Sequence, residues 1–111
     1  MKLPLDSIIT ERKLTEYLLT LRFEDDKSGF LALAGYSLEN WQQLAEDLRH
    51  FLEDNEAELI RTTEYGDMNQ IKGSVAGPNG RILNVNTIWI RLSQNGETRF
   101  VTLIPDKEAS K

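Results

Sequence analysis

The sequence predicts an α+β fold, in which two to three N-terminal helices pack on one face of a C-terminal four-stranded antiparallel meander sheet. Two observations support this fold class. Apolar residues recur at helical spacing up to about residue 54, and from residue 57 onward they alternate with a period of about two. The second half also contains Gly77-Pro78-Asn79-Gly80 and Asn95-Gly96, which are typical of turns between antiparallel strands.

Length and composition indicate a single domain over residues 1–111. Of the 111 residues, 40% are hydrophobic and 28% are charged, and there is no cysteine. We therefore expect a helical part at about 10–54, a sheet at about 57–105 and a short C-terminal tail at 106–111. The lack of cysteine excludes disulfides, thiolate nucleophiles and cysteine metal sites.

The distribution of charge and hydropathy favours a cytoplasmic protein without a membrane partner. The N-terminus lacks the apolar run and cleavage site of a signal peptide, and no stretch has the roughly 20 apolar residues of a membrane span. The net charge of -5 comes from the first half, since residues 1–55 carry six basic and eleven acidic side chains while residues 56–111 carry seven of each. Bulk attraction to nucleic acid is not expected, but a local basic patch on the sheet is compatible with these counts.

Three helices are predicted in the first half. The first spans about 11–21 with Thr10 as its N-cap, and a short second helix at about 30–34 is closed by Gly35. The third begins after Ser37, and its apolar stripe runs along the segment 38–52. The acidic run at 24–26 suits the positive N-terminal end of the second helix; a divalent cation site there is the less favoured alternative.

Four strands are predicted at about 57–65, 68–76, 81–92 and 97–104. If both turns contain two residues, Trp89 faces Thr102 and Gln70 faces Thr87 across the strands. This register sorts the sheet into two faces. The aliphatic face, expected to meet the helices, carries Ile71, Val75, Ile82, Ile88, Ile90, Leu92, Val101 and Leu103. The other face, called here the mixed face, carries Gln70, Lys72, Ser74, Arg81, Thr87, Trp89, Arg91, Phe100 and Thr102, besides Leu83 and Val85.

The mixed face is the predicted ligand surface. Aromatic rings can stack on bases and cations can hold phosphates, which are the usual means of binding single-stranded RNA. A cation beside a hydroxyl could also stabilise the charge that develops in phosphodiester transesterification. The predicted binding residues are Gln70, Lys72, Arg81, Trp89 and Arg91. The alternatives are an ordinary solvent-facing sheet and a homodimer interface through Trp89 and Phe100.

Other chemical signals are weak. His50 is the only histidine and lies on the polar side of the third helix, so we interpret it as a surface residue; without a second histidine or a cysteine, a nucleophilic triad has no support. The turn at 77–80 lacks the lysine and helix of a phosphate-binding loop. We predict neither a metal site nor a cofactor.

Several segments, taken in order, resemble a bacterial domain family of unknown function. They are Asp26-Lys27-Ser28, Ala34-Gly35-Tyr36-Ser37-Leu38-Glu39-Asn40-Trp41, Thr63-Glu64-Tyr65-Gly66, Gly77-Pro78-Asn79-Gly80, Asn86-Thr87-Ile88-Trp89 and Phe100-Val101-Thr102-Leu103-Ile104-Pro105. The family is common as a stand-alone protein in cyanobacteria and also occurs at the C-termini of proteins that look like polymorphic toxins. The resemblance covers nearly the whole chain.

This resemblance implies a layout similar to the small ribonuclease toxins of the barnase, EndoU and RelE type. Lys27, Thr87 and Thr102 match polar positions of the family pattern, and are the catalytic candidates for a metal-independent ribonuclease-like activity. Many relatives have a histidine-proline pair ahead of the lysine, whereas this chain has Arg22-Phe23-Glu24-Asp25, which puts general-base catalysis in question. Cyanobacterial relatives are encoded beside a small SH3-like protein, which implies a small protein partner.

Two functional hypotheses follow. The first is a toxin-like or toxin-derived domain that cleaves or binds RNA and is held by a partner protein. The second is a non-catalytic protein–protein interaction module, either bound to a partner or homodimeric. They differ in what they require of the mixed face, because only the first requires its cations and hydroxyls to be accessible to RNA.

Overall fold

Four antiparallel strands form one sheet whose order follows the chain, β1-β2-β3-β4. They are β1 (Glu58–Thr62), β2 (Gly66–Ala76), β3 (Ile82–Leu92) and β4 (Thr98–Pro105). The computed structural model describes residues 2–19 and 27–106. Helices followed by a four-stranded antiparallel meander confirm the predicted fold class.

Within the described segments, three helices precede the sheet: α1 (Lys13–Leu18), α2 (Ser28–Ala32) and α3 (Trp41–Asp54). The turns of α1 are wide, as in a π-helix, and the Leu19 N–H donates to the Leu14 carbonyl at 2.9 Å. A 3-10 turn (Leu38–Asn40) leads into α3, where the Asn40 side-chain oxygen accepts the Ser37 N–H at 2.8 Å. Among the helices of the described segments, none is long and apolar enough to cross a membrane.

The N-terminal segment, for which no helix or strand was predicted, lies along β4. Ile8 pairs in parallel with Arg99, since its N–H donates to the Thr98 carbonyl at 2.8 Å and its carbonyl accepts the Phe100 N–H at 2.9 Å. Arg49 of α3 holds this segment by donating to the carbonyls of Leu5 (2.8 Å) and Ser7 (2.9 Å). The outer edge of β4 is therefore partly paired.

The core lies between the helices and one face of the sheet, called here the core face. Its central strand residues are Ile71, Val75, Leu83, Val85 and Trp89, all at most 5% exposed. The helices contribute Leu14, Leu18, Leu31, Leu44, Leu48, Phe51 and Leu52 to the same cluster. The apolar stripe of α3 is thus buried against β2, as its 3.6-residue period predicts.

The β2–β3 connection contains three residues rather than the predicted two. The Gly77 N–H donates to the Arg81 carbonyl at 2.9 Å, and Gly80 has a φ of 87°, which suits the last position of a three-residue hairpin loop. Thr87 therefore faces Ile71 instead of Gln70, a shift of one residue. Because side chains alternate, this shift reverses both faces of β3. Ile82, Ile88, Ile90 and Leu92 point away from the core, and the prediction that they belong to it was wrong.

The β3–β4 connection is also longer than predicted, and β4 contains a bulge. The Leu92 N–H donates to the Glu97 carbonyl at 2.8 Å, which leaves a four-residue loop at 93–96. Trp89 faces Phe100 whereas Ile88 faces Thr102, so Val101 is an extra residue. Thr102 therefore lies with Ile88 on the face of the sheet that points away from the helices, called here the outward face. The predicted pairing of Thr102 with Trp89 was wrong.

Three predictions concern residues outside the described segments. They are the end of the first helix at 20–21, the acidic run at 24–26 and the C-terminal tail from residue 107. The departure from the family pattern at 22–25 lies in the same undescribed stretch. Because the structure does not describe these residues, the three statements stay predictions.

Candidate functional site

The structure joins two of the predicted catalytic residues. Lys27 occupies the position just before α2, and its Nζ donates a hydrogen bond of 2.8 Å to the Thr102 hydroxyl, 75 residues away. Both residues are half-buried. An ammonium group held by a hydroxyl at the junction of a helix and a sheet can stabilise negative charge, such as that of a phosphate. We call this the Lys27–Thr102 pair.

Thr87 does not join this pair. It is completely buried on the core face, where its hydroxyl accepts the Trp89 indole N–H at 2.8 Å and donates to the Ile71 carbonyl at 3.2 Å. Trp89 is also completely buried, and its ring meets Phe100 edge-on with centroids 5.1 Å apart. The expected exposed face shared by Thr87, Trp89 and Thr102 was therefore wrong, because the three-residue loop and the bulge change the register. A catalytic role of Thr87 and a binding role of Trp89 stay predictions.

The remaining predicted binding residues are spread over the sheet. Gln70 and Lys72 lie on the outward face of β2. Arg81 is exposed just before β3, and Arg91 is exposed near its end. Ten residues of strand span about 33 Å, so the two arginines cannot contact one small ligand.

The register shift also brings an amide that sequence reasoning missed to the outward face. Asn86 faces Lys72 on one side and Ile104 on the other. Its side-chain amide donates to the Gln70 side-chain oxygen at 3.1 Å, and its own side-chain oxygen is buried without a hydrogen-bond partner among the described residues. Asn86 belongs to one of the segments that carry the family resemblance, and the correct loop length of the β2–β3 hairpin would have placed it on this face.

A groove between α2 and the ends of β3 and β4 was missed as well. Its volume is about 450 Å³, and its lining consists of Phe30, Leu33, Arg81, Ile82, Leu83, Asn84, Pro105 and Asp106. Leu33 and Ile82 are 47% and 63% exposed. Lys27 lies one helical turn before Phe30, so the Lys27–Thr102 pair is close to this groove. The groove combines apolar walls with Arg81, one of the predicted binding residues.

A partly buried polar contact that is structural in character links Tyr36, before α3, to the middle of that helix. The Tyr36 hydroxyl donates to the Asp47 carboxylate, and Gln43 donates to the same carboxylate at 2.9 Å. Burial raises the pKa of Tyr36, and the hydrogen bond to Asp47 raises it further. Tyr36 therefore stays protonated and anchors the segment between α2 and α3. His50, farther along α3, is exposed, and its Nδ1 lies 3.6 Å from Glu53.

The fold is similar to that of a chain in a solved structure described as a contact-dependent growth inhibition toxin–immunity protein complex from Klebsiella pneumoniae 342. The TM-score is 0.62 at 20% sequence identity, and the match covers 92% of this chain and 95% of that chain. At this identity the likeness establishes a shared fold. No curated protein matches the chain.

A family profile matches the sequence itself over residues 5–107. This match confirms the part of the resemblance that concerned a domain of unknown function, and it covers all four strands and the helices. The chain belongs to the family described as domain of unknown function (DUF6883).

Proposed function

We propose that this chain is a toxin-type domain that binds and cleaves RNA at the Lys27–Thr102 pair and is held by a protein partner. The observation that carries the proposal is the 2.8 Å hydrogen bond from Lys27 Nζ to the Thr102 hydroxyl. Both residues are catalytic candidates from the family resemblance. Their proximity in space was not implied by any local pattern in the sequence.

The chemistry assigned to the pair is charge stabilisation. In metal-independent cleavage, the ribose 2′-oxygen attacks phosphorus and gives its proton to water. The bond from phosphorus to the 5′-oxygen breaks, and that oxygen takes a proton from water, leaving a 2′,3′-cyclic phosphate and a 5′-hydroxyl. Negative charge develops on the non-bridging oxygens, where the Lys27 ammonium would act, and Thr102 would hold that ammonium in position.

The described side chains around the Lys27–Thr102 pair provide contacts for RNA, although no exposed aromatic ring is among them on which bases could stack. Gln70 and Asn86 present amides on the outward face, and Lys72 adds a cation next to them. Amides can read the edges of unstacked bases, and a lysine can hold the phosphate backbone. Because the net charge is -5, affinity must come from these local cations, and it should fall with rising salt only as far as the few phosphates that they contact require.

The fold comparison supports a two-protein system of the toxin–immunity kind, and with it the proposed partner. The similar solved structure is described as a toxin–immunity protein complex, and a domain of this fold therefore occurs in a two-protein system. By analogy, we propose a protein partner that holds this domain.

The test is cleavage of labelled single-stranded RNA in the presence of EDTA. We expect the wild type to release fragments with 2′,3′-cyclic phosphate ends. Lys27→Met should slow cleavage about a hundredfold, as expected when one charge-stabilising group is removed. Thr102→Val should slow it less, by about tenfold, because the ammonium remains but is no longer held.

Lys13→Met is the matched control, because it removes a half-buried lysine that lies over the Tyr17 ring in α1. This variant should cleave RNA at the wild-type rate. Wild-type protein that neither cuts nor retains RNA on a gel would overturn the proposal, and so would an equal loss in Lys13→Met and Lys27→Met.

A non-catalytic interaction module is the second candidate, favoured by apolar side chains on and beside the sheet. Tyr65, Ile82, Leu59, Ile60 and Ile104 are 41–69% exposed. Such residues are typical of a surface that another protein covers. If RNA stays intact while the chain forms a defined complex with a second protein or a second copy, this function is the better description.

A further inference from the structure

Strand β1 leaves one edge of the sheet open. It pairs only with β2 within the described segments, and all five of its residues are exposed. Leu59 and Ile60, at its centre, are 54% and 45% exposed. An edge strand with unpaired backbone groups and exposed apolar side chains can accept another strand.

A bulge determines which β1 side chains share a face. Glu58 faces Gln70 and Arg61 faces Met68, so Ile60 is an extra residue. In a regular strand, residues three apart point to opposite faces. Gln70 and Met68 share the outward face of β2, and the bulge therefore puts Glu58 and Arg61 on that face together.

This arrangement is complementary to itself. When two copies of β1 run antiparallel about a two-fold axis, one register sets Glu58 opposite Arg61 of the second copy and Leu59 opposite its Ile60. Each pair then occurs twice, as the symmetry of an isologous interface requires. We infer that β1 pairs with β1 of a second copy in this register, so that the two sheets join into one of eight strands.

The charges of Glu58 and Arg61 favour a second copy of β1 as the added strand, and they favour this register. Moving the register by one residue sets Glu58 opposite Thr62 and Leu59 opposite Arg61, which leaves both charges without an opposite charge. Parallel pairing sets Glu58 opposite Glu58, and like charges in that position are destabilising. Charged residues usually protect an edge from unrelated strands, and here the same residues admit a second copy of the chain.

The contact is short, so the dimer should be weak. Two five-residue strands bury less surface than a standard protein interface, and a dissociation constant on the order of 10 μM is expected. The pairing does not involve Lys27 or Thr102. It can therefore hold whether or not the chain acts on RNA, and the two proposals fail separately.

Charge reversal tests the register directly. We expect sedimentation of the wild type from about 1 to 500 μM to show a monomer–dimer equilibrium. Glu58→Arg and Arg61→Glu alone should each weaken the dimer about tenfold or more, because both create two like-charge pairs. Mixing the two variants should restore a dimer, since position 58 of each copy then meets the opposite charge at position 61 of the other. The double variant should dimerise alone, because both charges are exchanged within each copy.

Glu39→Arg is the control, because it reverses an exposed carboxylate outside the sheet. It should dimerise like the wild type, and circular dichroism should show that all variants are folded. A wild type that stays monomeric at about 500 μM overturns the inference. So does a mixture of Glu58→Arg and Arg61→Glu that forms no more dimer than either variant alone.

Discussion

The two edges of the sheet differ in how much of the chain covers them. The β4 edge pairs with Ile8 of the N-terminal segment, and Thr102 on the same strand accepts a hydrogen bond from Lys27. The β1 edge has no such cover within the described segments, and its residues 58–62 are all exposed. The covered edge can hold side chains in fixed positions for chemistry, whereas the open edge is suited to association.

The covered edge is built from segments far apart in sequence. The N-terminal segment reaches β4 because Arg49 of α3 binds the carbonyls of Leu5 and Ser7. Lys27 reaches β4 because α2 packs on the turn between β2 and β3, where the Asn79 N–H donates to the Ala34 carbonyl at 3.2 Å. The geometry of the candidate site therefore depends on the folded core as a whole.

The largest expected effect is that of Trp89→Ala. Trp89 is completely buried, contacts Phe100 of β4 and donates to Thr87, so its loss leaves a cavity and removes one of the two hydrogen bonds of the Thr87 hydroxyl. The free energy of unfolding, measured with urea, should fall by about 3–5 kcal/mol. Leu59→Ala, at the open edge, should cost less than about 1 kcal/mol because Leu59 is 54% exposed. Similar losses for the two variants would contradict the difference in burial between the open edge and the strands beside the covered edge.

Gly77→Ala should have the next largest effect. A Cβ at residue 77 would lie 2.2 Å from the Ala34 carbonyl oxygen and 2.4 Å from the Ala34 Cβ, so α2 would have to move away from the sheet. We expect a loss of about 1–3 kcal/mol in the free energy of unfolding. A change in the NMR signals of Lys27 and Thr102 would show that the displacement reaches the candidate site.

Gly80→Ala is the control for this prediction. It ends the loop that Gly77 precedes, and a Cβ there meets nothing within 4 Å, although its φ of 87° disfavours alanine. It should cost about 1 kcal/mol through backbone strain and leave the Lys27 and Thr102 signals unchanged. If both glycine variants shifted these signals equally, the contact with Ala34 would not be what positions α2.

The elements of this fold could be predicted from local patterns, but their register could not. The apolar stripe of α3 and the alternation in β2 predicted the buried residues of these elements correctly, because each pattern depends on its own element alone. Leu38, at the start of the predicted stripe, is the exception, since it precedes α3 and is 47% exposed. The faces of β3 depend on the length of one loop, and the position of Thr102 depends on a bulge at Val101. One additional residue in a loop exchanges the two faces of the following strand, and the residues of that strand do not indicate the change.

The candidate site was predictable to the same limited degree. Lys27 and Thr102 could be named from the family resemblance, and the structure brings them together. Asn86 could not be assigned to the site, since its face depends on the register of β3. The groove beside α2 could not be identified either, since it depends on how α2 packs. The polar atoms of Thr87 and Trp89 suggested a ligand surface. In the structure they form a buried hydrogen bond with each other instead.

The smallest expected effect is the energetic coupling between Lys27 and Thr102. A double-mutant cycle with Lys27→Met and Thr102→Val isolates it from the other contacts of the two residues. Both partners are half-buried and the donor is charged, so the coupling should be about 1 kcal/mol in the free energy of unfolding.

The matched cycle at the open edge uses Thr62→Val and Asp67→Ala. Thr62 donates to the Asp67 carboxylate at 3.0 Å in an exposed contact between β1 and β2. Water competes for both groups there, so the coupling should stay below about 0.5 kcal/mol. A Lys27–Thr102 coupling no larger than this one would mean that the ammonium is free to leave the hydroxyl. The covered edge would then hold its candidate catalytic pair no more firmly than the open edge holds a surface contact.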